Sequence, residues 1–107
     1  MDYLPIFLNI EDRKCLVVGG GKVAVRKVTL LKRAGAHITV VSPQLCDALR
    51  ALLEQGSVTH VAREFQDEDL HGCVLVIAAT DVKAVNRRVT ELANTQRIPV
   101  NAVDSPD

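Results

Sequence analysis

Apolar positions fall along this chain in two alternating rhythms. Unbroken apolar runs occupy 15–18 (Cys-Leu-Val-Val) and 73–79 (Cys-Val-Leu-Val-Ile-Ala-Ala), and His37–Val41 is a third strand-like stretch. Between them lie segments whose apolar residues recur at helical spacing. Over 22–34 they are Ala24, Val28 and Leu31 beside Val23, Leu30 and Ala34; over 43–55, Leu45, Leu49, Leu52 and Leu53; over 82–96, Val85, Val89, Leu92 and Ala93. A continuous apolar run is what a strand buried on both faces requires, and the helical stripe is what covers it. Shorter runs at 58–61 and 98–103 complete five predicted strands, with the polar stretch 66–72 long enough for one helical turn.

Strands alternating with helices build a parallel sheet covered on both sides, and right-handed crossovers place later strands on either side of the first. The prediction is an α/β, Rossmann-type doubly wound sheet of strand order 3-2-1-4-5. Residues 4–10, Leu-Pro-Ile-Phe-Leu-Asn-Ile, alternate partly and hold a proline that suits an edge. They are expected either to add an N-terminal edge strand or to pack against a neighbouring domain.

The first strand, turn and helix carry the strongest chemical signal. Gly19-x-Gly21-x-x-Ala24 fits the dinucleotide fingerprint, in which the first glycine allows a sharp turn, the second lets a pyrophosphate approach the backbone, and the third small residue keeps helix and strand close. The helix starting near Lys22 offers unpaired N–H groups and a positive dipole end to an anion there. Lys22, Arg26 and Lys27 lie in its first turns. They are either a solvated face or a place where cations meet a carboxylated ligand.

Ligands of such sheets bind beyond the carboxyl ends of the strands at the switch in strand order. That rule selects the Gly19 to Gly21 turn, Ser42-Pro43-Gln44, Thr80-Asp81 and Asp104. After the second strand, where a dinucleotide site usually carries an acid for the ribose 2′-hydroxyl, this chain has Ser42, Pro43 and Gln44, and no arginine follows directly to take a 2′-phosphate. The pattern supports a dinucleotide without choosing between its phosphorylated and unphosphorylated forms. Asp81 reads first as a helix cap. Asp104 either caps a helix begun at Pro106 or faces the reacting end of a cofactor.

Composition narrows the partners. A chain of 107 residues makes one domain, and 13 basic against 13 acidic residues leave no overall field to attract nucleic acid or a membrane surface. Cys15, Cys46 and Cys73 form no close pair and have no histidine at ligand spacing, so no metal site is expected. An odd number of cysteines, two of them in apolar runs, suggests a reducing compartment, and the start lacks the marks of a signal peptide. The expectation is a cytoplasmic protein.

Four motifs in order, Leu4-Pro5-Ile6-Phe7, then Val18-Gly19-Gly20-Gly21-Lys22-Val23-Ala24 with Arg26-Lys27, then Ala78-Ala79-Thr80-Asp81 with Asn86, then Asn101-Ala102-Val103-Asp104, resemble the N-terminal domain of siroheme synthases over essentially the whole chain. The resemblance implies oxidation of precorrin-2 to sirohydrochlorin with NAD, followed by insertion of ferrous iron as a substrate to give siroheme. It implies that Gly19, Gly21, Lys22, Val23, Pro43 and Gln44 hold the dinucleotide, that Asp104 is the catalytic carboxylate, and that a homodimer forms through a region beyond this chain. The missing acid after the second strand is then similar to the family's own pattern. Residues 1–107 are expected to be the dinucleotide-binding domain of a longer protein, with little turnover alone. The alternative reading is a non-catalytic module that senses dinucleotide redox state.

Overall fold

The computed structural model describes residues 6–103. Five strands, β1 (Lys14–Val18), β2 (His37–Val41), β3 (Thr59–Val61), β4 (Leu75–Ala78) and β5 (Val100–Ala102), alternate with three helices, α1 (Lys22–Arg33), α2 (Asp47–Glu54) and α3 (Lys83–Thr95). A 3₁₀ turn, Asp67–Leu70, occupies the polar stretch before β4. All pairings are parallel and the strand order is β3-β2-β1-β4-β5, as the alternation predicts. β1 is central: Cys15 registers with Ile38 on one side and Leu75 on the other.

The period of two along β1 divides the core. Cys15 and Val17 face Ala24, Val28 and Leu31 of α1 and Leu49 of α2, together with Ile38, Val40 and Ile77. Leu16 and Val18 face the other way, onto Leu70 and onto Val89 and Ala93 of α3. Fully burying one such valine or leucine stabilises the fold by about 1.5–3 kcal/mol, so both faces of β1 are anchored. α1 stops at Gly35, whose N–H donates to the Lys32 carbonyl at 3.0 Å while Ala36 N–H reaches back to Leu31 at 3.2 Å. Among the described residues no helix is long and apolar enough to cross a membrane.

Two sequence expectations change. The N-terminal edge strand is absent among the described residues: 6–10 joins no ladder, and Ile6, Phe7 and Leu8 are exposed, while Leu4 and Pro5 lie outside the described residues. An alternating segment becomes a strand only beside a free ladder edge, and the strand this arm feeds, β1, is paired on both sides. Ile10 alone finds the core, after which Asp12 N–H donates to the Gly35 carbonyl at 2.9 Å. The second helix begins at Asp47 rather than at Pro43, because residues 42–46 are held by other bonds described next.

Candidate functional site

The glycine turn leaves β1 at the switch point, where β2 lies on one side and β4 on the other. Gly19 N–H donates to the Val41 carbonyl at 3.0 Å, tying the start of the turn to the end of β2. Its φ of +134° is a glycine conformation, and an added Cβ would overlap the Ala79 carbonyl. Gly20 is gripped from the other side. A Cβ there would overlap the Gln44 carbonyl oxygen and come within 2.7 Å of Ser42 Oγ, and the Gly20 carbonyl accepts the Cys46 N–H at 2.8 Å.

Gly21 differs from both. It precedes α1 with φ −104°, within reach of any residue, and a Cβ there would meet nothing within 4 Å. The protein's own packing therefore does not require glycine at this position. α1 also begins with no side-chain cap and no acid in its first turn, whereas α2 begins with Asp47. Open space over uncapped N–H groups is what a pyrophosphate pressed against the backbone needs, so the residues present fit a dinucleotide. Lys22 is exposed beside it and Val23 is 39% exposed, although valine is a core residue by type.

The loop after β2 forms the adjoining wall. Ser42 is buried; its N–H donates to the Val61 carbonyl at 3.2 Å and its hydroxyl to the Gln44 carbonyl at 2.7 Å. His60 Nε2 lies 2.9 Å from the Ser42 carbonyl, which accepts its proton. Pro43 and Gln44 are thereby presented outward next to Gly20. The loop after β4 forms the third part. The Asn86 side chain, 7% exposed, accepts from Thr80 N–H at 3.1 Å and from Thr80 Oγ1 at 2.8 Å, and donates to the Thr80 carbonyl at 2.9 Å. Thr80 Oγ1 in turn accepts the Val82 N–H at 3.1 Å. The residue before α3 is Val82, without a side-chain cap bond, so the expected capping role of Asp81 is not realised. The helix starts one residue later than that role requires, with Val82 between Asp81 and Lys83, so Asp81 is set too early for its carboxylate to take the second or third helical N–H.

Gly19, Gly21, Lys22, Val23, Pro43 and Gln44 thus come together on one edge of the sheet. Asp104 lies outside the described residues. Val103 N–H donates to the Ala78 carbonyl at 2.9 Å, so the backbone immediately before it runs beside the end of β4. Sequence reasoning missed Gly20, His60 and the clamping role of Asn86. The available signals were a third consecutive glycine and a polar residue among the apolar positions of α3.

Beyond the end of β3, Arg63 forms a two-point pair with Asp69, with Nη1 2.9 Å from Oδ2 and Nη2 2.6 Å from Oδ1. Asp69 Oδ2 also accepts the Gln66 N–H at 2.8 Å. Hydrogen bonds from the guanidinium hold the Asp69 carboxyl below the usual carboxylate range and push Arg63 up.

The sequence model of one family, described as "Putative NAD(P)-binding", matches residues 6–107. The chain belongs to this NAD(P)-binding family. Among curated relatives, the siroheme synthase of Nitrosospira multiformis is 58% identical over 110 residues, spanning 99% of this chain and 23% of that protein. That of Thioalkalivibrio sulfidiphilus is 53% identical over 107 residues, spanning 100% of this chain and 22% of that protein. The resemblance carried by the four motifs therefore holds over the whole chain, against the N-terminal part of those proteins. The chain spans less than a quarter of their length. The solved structure of "SirC, precorrin-2 dehydrogenase" superposes with a TM-score of 0.85 at 30% identity, covering 98% of this chain and 51% of that one. The D-lactate dehydrogenase of Escherichia coli, at TM-score 0.66 and 16% identity over 89% of this chain and 29% of that one, shares the fold alone. This NAD(P)-binding family member thus has the sheet, the switch point and the glycine turn of a dinucleotide domain.

Proposed function

We propose that this chain is the dinucleotide-binding domain of a siroheme synthase, and that the protein oxidises precorrin-2 to sirohydrochlorin with NAD and then inserts ferrous iron to give siroheme. The observation that carries the reading is Gly21, a glycine with no packing reason to be one, at an uncapped helix start. The family match and the likeness to siroheme synthases support the cofactor and the pathway. When bound, NAD supplies a hydride acceptor. The backbone at Gly21, Lys22 and Val23 receives its phosphates, and Pro43 and Gln44 flank it along the end of β2.

Removing a hydride from the macrocycle leaves a proton to be taken up, and Asp104, the first carboxylate after β5, is the base in this reading. The same carboxylate accepts pyrrole protons as ferrous iron enters. Lys22, Arg26 and Lys27 face the substrate's carboxylates as point charges and hydrogen-bond donors. The working protein is a cytoplasmic homodimer, joined through a part of the longer protein outside these residues.

Anaerobic mixing of precorrin-2 and NAD with the full-length protein, followed by NADH absorbance, tests this reading. The parent should form NADH, and Asp104→Asn should lose turnover while retaining NAD affinity. A parent that binds NAD but forms no NADH would instead be a dinucleotide-sensing module. An active Asp104→Asn variant would move the base elsewhere.

A further inference from the structure

The sequence leaves open how a site with neither an acid nor an adjacent arginine after β2 distinguishes NAD from NADP. The end of β3 supplies a discriminating group. Ser42 N–H bonds the Val61 carbonyl at 3.2 Å, so the loop that flanks the ribose in this reading runs beside the end of β3, and Arg63 follows Val61 by two positions. Arg63 Nη1 donates to both Asp69 Oδ2 at 2.9 Å and the Glu64 carbonyl at 3.0 Å, and Nη2 is taken by Asp69 Oδ1 at 2.6 Å. The Asp69 side chain is only 8% exposed and is fixed from behind by the Gln66 N–H.

We propose that Asp69 is a specificity-determining residue, which withholds Arg63 from the crevice and so makes the site select the dinucleotide without a 2′-phosphate. This rests on the NAD reading above and adds the residue that enforces it. A 2′-phosphate needs an available guanidinium with free donors. Here the guanidinium is committed two-pronged to a carboxylate that is itself nearly buried, and separating such a pair strands a charge with little water around it. The surroundings add repulsion. Glu64, Asp67, Glu68 and Asp69 crowd the connection after β3, against Arg63 and against Arg88, which pairs with Asp67 at 2.7 Å. A phosphate arriving there meets an excess of carboxylates.

The test is equilibrium binding of NAD and of NADP to the full-length parent protein and to its Asp69→Asn, Arg63→Gln and double variants, with a thermal melt of each. Asparagine keeps an acceptor for the Gln66 N–H and removes the charge that holds Arg63. Asp69→Asn should bind NADP about tenfold or more tightly than the parent does, the scale of one hydrogen bond to a charged group, with NAD affinity changed less than about twofold. The double variant should lose that gain. Unchanged NADP affinity in a folded Asp69→Asn overturns the proposal. Arg63→Gln provides a check that does not depend on Asp69→Asn folding. Since Arg63 is withheld in the parent, its loss should leave both affinities alone, and a selective drop in NADP binding would show that Arg63 already serves the phosphate. If the parent binds neither dinucleotide, the underlying reading fails instead, and the proposal with it.

Discussion

Replacing Gly21 by alanine separates what the fold needs from what a ligand needs. At Gly21 the backbone φ of −104° suits any residue and a Cβ meets nothing within 4 Å, so no overlap has to be relieved. Two small effects oppose each other. Alanine is a poorer residue before a helix than glycine, by about 0.5–1 kcal/mol, and it removes about 0.4–1 kcal/mol of unfolded-chain freedom. The balance is within about 0.5 kcal/mol of zero, which for a chain of this size is a Tm shift of about 4 °C or less. NAD affinity, by contrast, should fall at least tenfold, about 1.4 kcal/mol, because the methyl group occupies the space a pyrophosphate takes. Gly20→Ala is the matched control. Its Cβ overlaps the Gln44 carbonyl and crowds Ser42 Oγ, both fixed by the loop after β2, so it should cost about 1–3 kcal/mol and lower the Tm by about 4–20 °C. Circular-dichroism melts and calorimetric titration with NAD read both quantities. A Gly21→Ala chain that melts like the parent and binds NAD equally well would refute the assignment of that open space to the cofactor.

Asn86→Ala removes three hydrogen bonds to Thr80 and should cost about 2–3 kcal/mol in urea unfolding, with weaker NAD binding as the loop after β4 relaxes; a loss below about 0.5 kcal/mol would mean that solvent replaces the clamp. Because the Asp69 carboxyl is held low by Arg63, its contribution is fully present above the unfolded carboxylate pKa of about 4 and disappears as pH falls through the lower folded value. The urea midpoint of Asp69→Asn should therefore fall less steeply than the parent's below about pH 4, and parallel curves would contradict the pairing. Burial pushes the Cys15 and Cys73 thiols up, so in the native state a maleimide should label the half-buried Cys46 first, as peptide mass mapping would show; rapid labelling of Cys15 would mean that the sheet opens easily.

The fold was legible because hydrophobic period and strand burial are the same fact seen twice. The run His37–Val41 became β2 without change, and the alternation of strand and helix led directly to the order around β1. Boundaries failed where a tertiary bond outbid a local signal. Pro43 looked like a first helical residue, but the Cys46 N–H is spent on the Gly20 carbonyl and Ser42 Oγ on Gln44, and these bonds hold 42–46 as a loop. The fingerprint treats the residue between its two glycines as free, and here that residue, Gly20, is pinned against a loop more than twenty positions away, which spacing cannot reveal. Gly21 shows the reverse. Its type is legible in the sequence, but the emptiness around it appears only in three dimensions. The role of Asn86 was hidden because one asparagine on a helix reads as a solvated face until its buried bonds to Thr80 are seen.

The central place of β1 also sets a schedule for the growing polypeptide. Cys15 meets its first neighbour, Ile38, soon after it is made, but its second, Leu75, is sixty positions further on. At about 5–20 residues per second a ribosome needs about 3–12 s to make that interval. Throughout it, this apolar strand has at least one bare edge, and Leu16 and Val18 still lack the cover of Val89 and Ala93. An unpaired apolar edge is a template for the wrong partner. The strand that later organises the crevice is thus the one whose nascent form depends most on being shielded.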